Sequence, residues 1–83
     1  MLVQLKYFAS IREGLGLGSE SLQTDAPTLA ALRDQLIARG GAYAVHLARG
    51  RAVRLALQQV MSDETQPLHD GAEVAFFPPV TGG

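Results

Sequence analysis

The sequence contains no cysteine. That single absence excludes a disulfide framework, a thiolate metal site and a cysteine nucleophile, so stability has to come from packing. It also lacks any apolar run of the roughly 20 residues that a membrane-crossing helix needs. Residues 1–8 carry Gln4 and Lys6 and have neither the basic start nor the apolar stretch of a secretory signal. The expectation is a soluble protein of the reducing cytoplasm with no membrane partner. Neither sign of charge dominates: seven Lys and Arg face eight Asp and Glu, a formal charge of -1, which gives no general attraction to nucleic acid. No internal repeat or low-complexity segment interrupts the chain. What is present is 83 residues that are 47% hydrophobic, enough for one globular domain around one core. A domain of this size buries only about 60–65% of its unfolded surface, which leaves little room for a deep internal cleft.

Apolar and polar residues alternate through residues 3–7, the period of a strand with one face buried. Residues 9–15 lack that alternation and read as a short helical turn, ended by Gly14, Gly16 and Gly18. Residues 21–24 form a second, weaker strand. Thr28 is then placed to cap the clearest helix in the sequence, in which Leu29, Leu32, Leu36 and Ile37 fall on one stripe. Arg33, Asp34 and Arg39 are expected to face solvent, with Gly40-Gly41 as a left-handed stop. Residues 43–48 suggest another short helix, and Arg49-Gly50-Arg51 a polar turn. Residues 53–57 alternate again as a third strand. The Asp70-Gly71 turn leads to a last strand at residues 73–77, closed by Pro78-Pro79, which cannot donate to a ladder. Strand, strand, helix, strand, strand is an α+β pattern, a mixed sheet curled round one main helix in the ubiquitin-like β-grasp manner. The helix can supply the crossover that parallel pairing of the first and last strands requires. The organisation is a domain over residues 1–77 and a flexible tail over residues 78–83.

After Pro78 and Pro79 come only Val80, Thr81, Gly82 and Gly83. Such a tail has nothing to bury and could reach on the order of 20 Å when extended. Two glycines without Cβ atoms would let the terminal carboxylate pass down a channel too narrow for other residues. By chance, two consecutive glycines at one end occur in about one chain in 200. The carboxylate of Gly83 is thus the candidate chemical group. Transfer to the α-phosphate of ATP by an activating enzyme would give an acyl-adenylate that sulfur or an amine can attack, and the chain itself needs no catalytic side chain and no bound cofactor. Phe8 and Phe77 fall out of phase with the inward sets Val3, Leu5, Tyr7 and Val74, Phe76, so both should face outward beside the tail as a docking patch. Met61, in the turn after Gln58-Gln59, either extends this patch or fills the core.

Other constellations carry less. Residues 14–18 alternate glycine with leucine but lack GxGxxG spacing, and turn chemistry accounts for them. His46 and His69 stand far apart without a partner at ligand spacing, so no metal site is expected. None of Ser10, Ser19, Ser21 and Ser62 sits in a nucleophile elbow. Arg49, Arg51 and Arg54 make a basic patch without interleaved aromatics, which reads as a solvated turn or as a surface steering an acidic partner rather than as an RNA site.

Several blocks together resemble the small subunits of molybdopterin synthase, the sulfur carriers of molybdenum cofactor synthesis. They are Tyr7-Phe8-Ala9 with Arg12-Glu13, Thr28 with Leu32-Arg33, Leu47-Ala48-Arg49-Gly50, and above all residues 70–83, which end in Phe-Phe-Pro-Pro-Val-Thr-Gly-Gly. The resemblance spans nearly the whole chain. It implies a β-grasp fold in which an adenylating enzyme activates Gly83, a sulfur donor converts it to a thiocarboxylate, and a large subunit uses that sulfur on cyclic pyranopterin monophosphate, in a heterotetramer of two small and two large subunits. It also implies that the tail from Pro78 to Gly82 enters the partner and that Phe8, Met61 and Phe77 are contact positions. Gln58 departs from the asparagine often found there. The competing readings are a carrier for another product, such as the thiamine thiazole or a thiolated tRNA base, a protein modifier, and a purely structural module. Having Lys6 as its only lysine counts against a modifier that forms chains.

Overall fold

Residues 1–79 are described by a computed structural model. The alternation in the first segment becomes strand β1, Leu2–Tyr7, with Val3, Leu5 and Tyr7 buried and the residues between them exposed. Helix α1, Ala9–Leu15, follows and ends on Gly16, whose φ of 77° is the left-handed cap that a residue with a Cβ resists. Strand β2, Ser19–Gln23, returns antiparallel to β1, and helix α2, Leu29–Ile37, is capped by the Thr28 hydroxyl accepting from the Ala31 N–H at 3.2 Å. Then come α3, Gly41–His46, β3, Arg54–Leu57, β4, Val60–Ser62, and β5, Glu73–Phe77. The strands form one five-stranded sheet in the order β2-β1-β5-β3-β4. Its only parallel pair among the described residues is β1 with β5, and α2 lies in the long crossover between them.

One face of this sheet and the helices enclose the core. Val3, Leu5 and Tyr7 of β1, Leu55 of β3 and Val74 and Phe76 of β5 join Ile11, Leu29, Leu32, Leu36 and Leu47 in one cluster. Tyr7 stacks on Phe76 at 5.5 Å between ring centroids. Leu29, Leu32 and Leu36 are fully buried, each contributing on the order of 2–3 kcal/mol of transfer free energy. No helix among the described residues is long and apolar enough to cross a membrane.

Three expectations are corrected. Arg33 does not face solvent: it is 3% exposed, its guanidinium reaching back to loop carbonyls that lie far away in sequence. Residues 60–62 are a strand rather than part of a turn. The two-residue turn before them, Gln58-Gln59, has both residues at positive φ, 51° and 68°, without the glycine or asparagine that usually announces such a turn. Finally, β2 begins at Ser19, because Glu20 takes a half-buried position that a hydrophobicity pattern does not register.

Candidate functional site

The parallel register of β1 and β5 brings the ends of both strands to one edge, where the Phe8 N–H donates to the Phe76 carbonyl at 3.2 Å. Strand alternation sends Phe76 inward and Phe77 outward. Phe8, which precedes α1 with an extended backbone, also turns outward, and its ring lies flat on Phe77 with centroids 4.7 Å apart and planes 4° from parallel. Phe8 remains 38% exposed. The pair is held by strand geometry rather than by enclosure, which makes it a preformed apolar platform.

The rest of the outer face follows from register. Lys6 pairs with Ala75, Ala75 with Ala56, and Ala56 with Met61, so these four form one row across β1, β5, β3 and β4. The two alanines keep the middle of the face low. Met61 is 53% exposed on that face, which excludes it from the core and sets it in line with the patch. Arg54 stands opposite Phe77. At the edge itself Phe8, Ile11, His46, Arg51, Val53, Phe77, Pro78 and Pro79 line an open groove of about 640 Å³. Of the expected site residues, Phe8, Phe77, Pro78 and Pro79 thus meet around one groove, and Met61 shares their face two strands from β5. Val80, Thr81, Gly82 and Gly83 lie outside the described residues. Arg51, Val53 and His46 were not anticipated at the groove, since only the tertiary approach of α3 and the loop before β3 brings them there.

Two polar networks support that loop and the β2 side of the sheet. Arg33 donates to the carbonyls of Leu47, Ala48 and Arg51 at 2.8, 2.7 and 3.1 Å and pairs with Glu64 at 2.9 Å. Glu64 also binds Arg49, which bonds Asp34 and the Ala30 carbonyl as well. Arg49 is therefore not part of a free basic patch, and hydrogen bonding to Glu64 raises its pKa further. On the β2 side Tyr7 and Tyr43 donate to one Glu20 oxygen at 2.9 and 2.6 Å, while Arg39 pairs with the other at 2.9 Å and lies over the Tyr43 ring. Burial pushes the Glu20 carboxyl up, but hydrogen bonds from Tyr43, Arg39 and Tyr7, with the Arg39 charge, outweigh it and hold the carboxyl below its ordinary value. Burial and the bond to Glu20 push Tyr7 and Tyr43 up, so both remain donors at neutral pH. Among the described residues no buried side-chain nitrogen or oxygen lacks a partner, and no cluster of three or more His, Asp or Glu is placed to hold a metal.

Comparison with known proteins adds to this geometry. Residues 5–83 match the model of the ThiS family. The chain is 39% identical, over 99% of its own length and all of the relative's, to the molybdopterin synthase sulfur carrier subunit of Escherichia coli K12. Among solved structures, a chain of the complex of subunits 1 and 2 of molybdopterin-converting factor from Helicobacter pylori matches with 27% identity and a TM-score of 0.69, each chain covered fully. SAMP1 from Haloferax volcanii matches with a TM-score of 0.79 at 22% identity over the full length of both chains, a likeness of fold, and its fold is the ubiquitin-like β-grasp. With a preformed apolar platform at the root of its tail, a family match over residues 5–83 and 39% identity to a sulfur carrier subunit along nearly its whole length, the chain belongs to the ThiS family, among the sulfur-carrier subunits of molybdopterin synthase.

Proposed function

We propose that Gly83 is the chemical site of this carrier and that the outer face around Phe8 and Phe77 presents it to partners. The supporting observation is that β5 is followed by Pro78-Pro79 beside the Phe8–Phe77 stack, so the described chain ends at an exposed apolar platform four residues before Gly83. An activating enzyme, which binds the ATP, would join the Gly83 carboxylate to the α-phosphate with release of pyrophosphate. A sulfur donor would then displace AMP and leave a thiocarboxylate. The large subunit of molybdopterin synthase would receive the tail, Pro78 to Gly82, together with Phe8, Met61 and Phe77, in an assembly of two small and two large subunits in the cytoplasm. There the sulfur passes to cyclic pyranopterin monophosphate. The carrier holds no cofactor and supplies no catalytic side chain, since adenylation and sulfur use both occur in partner sites.

The test is the intact mass of the chain after incubation with ATP, a sulfur donor and the cognate activating enzyme. The expected result is a gain equal to exchanging one oxygen for sulfur, absent when Gly83 is deleted. No gain, with the enzyme active on another carrier, would remove Gly83 from the mechanism.

A further inference from the structure

Arginine is used in two ways in this fold. Arg33, Arg39 and Arg49 are each tied to a carboxylate. Arg12, Arg51 and Arg54 are exposed and form no ion pair or side-chain hydrogen bond among the described residues; Arg12 shares a recess with Glu13, which leaves Arg51 and Arg54. Their placement is not scattered. Pro79, the last described residue, lines two adjoining recesses, one containing Arg51 and the other Arg54. Neither recess is lined by an acidic residue. On its far side Arg54 borders Asp63 and Glu64, but Glu64 is held by Arg33 and Arg49, and Asp63 accepts from the Thr65 N–H. Two guanidinium groups without an ion pair therefore line the adjoining recesses at Pro79, the root of the tail, in a chain whose net charge is -1.

We propose that Arg51 and Arg54 form a cationic collar that recognises carboxylates on the rim of the protein that takes the tail. The inference rests on the docking surface assigned above and specifies its chemistry. A protein is favoured over a polyanion because the collar is continuous with an apolar platform. Phe8 and Phe77 stack on each other, leaving no separate rings to interleave with bases. Arg54 is the cross-strand neighbour of Phe77, so a partner covering the phenylalanine must also meet the arginine. Exposed rim charges act mainly on the encounter rate, and the field of a cationic pair is screened by salt.

Association with the cognate large subunit, followed by stopped-flow between about 50 and 500 mM salt, tests the collar. For the unaltered carrier the association rate should fall with salt. Arg51→Gln/Arg54→Gln should lower the low-salt rate and flatten its salt dependence. Arg51→Glu/Arg54→Glu should lower it by about ten- to a hundredfold and reverse the sign of the salt effect, with the dissociation rate nearly unchanged. Both arginine side chains are exposed, so circular dichroism should show the fold intact. Unchanged rates and salt slope in the charge-reversed carrier would overturn the collar. The docking surface itself is read separately: Phe8→Ala/Phe77→Ala should raise the dissociation rate and leave the salt slope in place, and normal dissociation of that variant would remove the platform whatever the arginines do.

Discussion

The two faces of the sheet are finished differently. On the helix side the side chains end in partners: leucines meet leucines, Glu20 collects two tyrosines and an arginine, and Arg33 satisfies three carbonyls and Glu64. On the opposite face Phe8 and Met61 stay exposed, and Arg51 and Arg54 at its tail edge have no acidic partner among the described residues. A domain of this size has no apolar surface to spare, so an aromatic stack left in solvent is better understood as reserved for another protein than as incomplete folding. The closed face should govern stability and the open face binding.

Arg33 offers the largest test of that division. Arg33→Met would leave the Leu47 carbonyl without a donor, the Ala48 and Arg51 carbonyls with only the Arg51 and Val53 N–H groups, and Glu64 with Arg49 alone. Removing one partner of a buried ionic network typically costs about 3–5 kcal/mol, and the half-exposed Glu64 brings the expectation to about 2–4 kcal/mol. Urea denaturation measures it. A loss under about 1 kcal/mol would show that water replaces the guanidinium without difficulty. Where the variant is still folded, its affinity for the large subunit gives a second reading, because the loop that Arg33 holds carries Arg51 and leads into Val53 at the groove.

How much of this was visible before the structure depends on whether the cause is local. Alternation in residues 3–7 and 73–77 is local, and it gave β1, β5 and the outward phase of Phe8 and Phe77. Thr28, Leu29, Leu32 and Leu36 announce α2 in the same way. Arg33 could not be read correctly because the groups that justify burying it are 14, 15, 18 and 31 positions away. Arg49 looked free for the same reason, since Asp34 and Glu64 reach it only through the fold. Strand β4 is short, follows an atypical turn and has Val60 and Met61 in solvent, so it carries no burial pattern to detect. The groove at the tail combines residues from α1, α3, the loop before β3 and β5, and no spacing in the sequence encodes that meeting.

The open face should show the opposite response to Arg33. Phe8→Ala/Phe77→Ala removes a stack that sits outside the core, and unfolding free energy should fall by about 1 kcal/mol or less. Affinity for the large subunit should fall by about 2 kcal/mol or more, roughly thirtyfold, as for an aromatic anchor at an interface centre. Calorimetric titration against the large subunit reads the second quantity. A stability loss larger than the binding loss would mean the stack belongs to the fold, and the division between faces would fail.

Acid should probe the closed face through Glu20. The Glu20 carboxyl is held below its ordinary value of 4.5, so the stability it contributes is present above the unfolded value and is lost as pH falls through the folded one. The melting temperature should drop between about pH 5 and pH 3, and Glu20→Gln, less stable at pH 7, should converge on the parent in that interval. Parallel curves for the two proteins would show that the network around Glu20 carries no proton-linked stability.

The smallest expected effect concerns the turn that sets Met61 on the open face. Gln58 and Gln59 both hold positive φ, a conformation that costs a residue with a Cβ roughly 1–2 kcal/mol. Gln58 has a compensation, because its side-chain carbonyl accepts from the Glu73 N–H. Gln59 is exposed and has no side-chain bond among the described residues. Gln59→Gly relieves that strain but gives the unfolded chain more freedom, a cost of about 0.5–1 kcal/mol, so the net gain should be about 0.5 kcal/mol. Thermal unfolding would show it as a rise of a few degrees for a domain of this size. Partner affinity should not change, since Met61 owes its outward position to its pairing with Ala56 rather than to the strained turn. If the glycine variant is more stable and also binds more weakly, the strain itself helps to hold the open face in shape, and stability and binding are no longer separable by face.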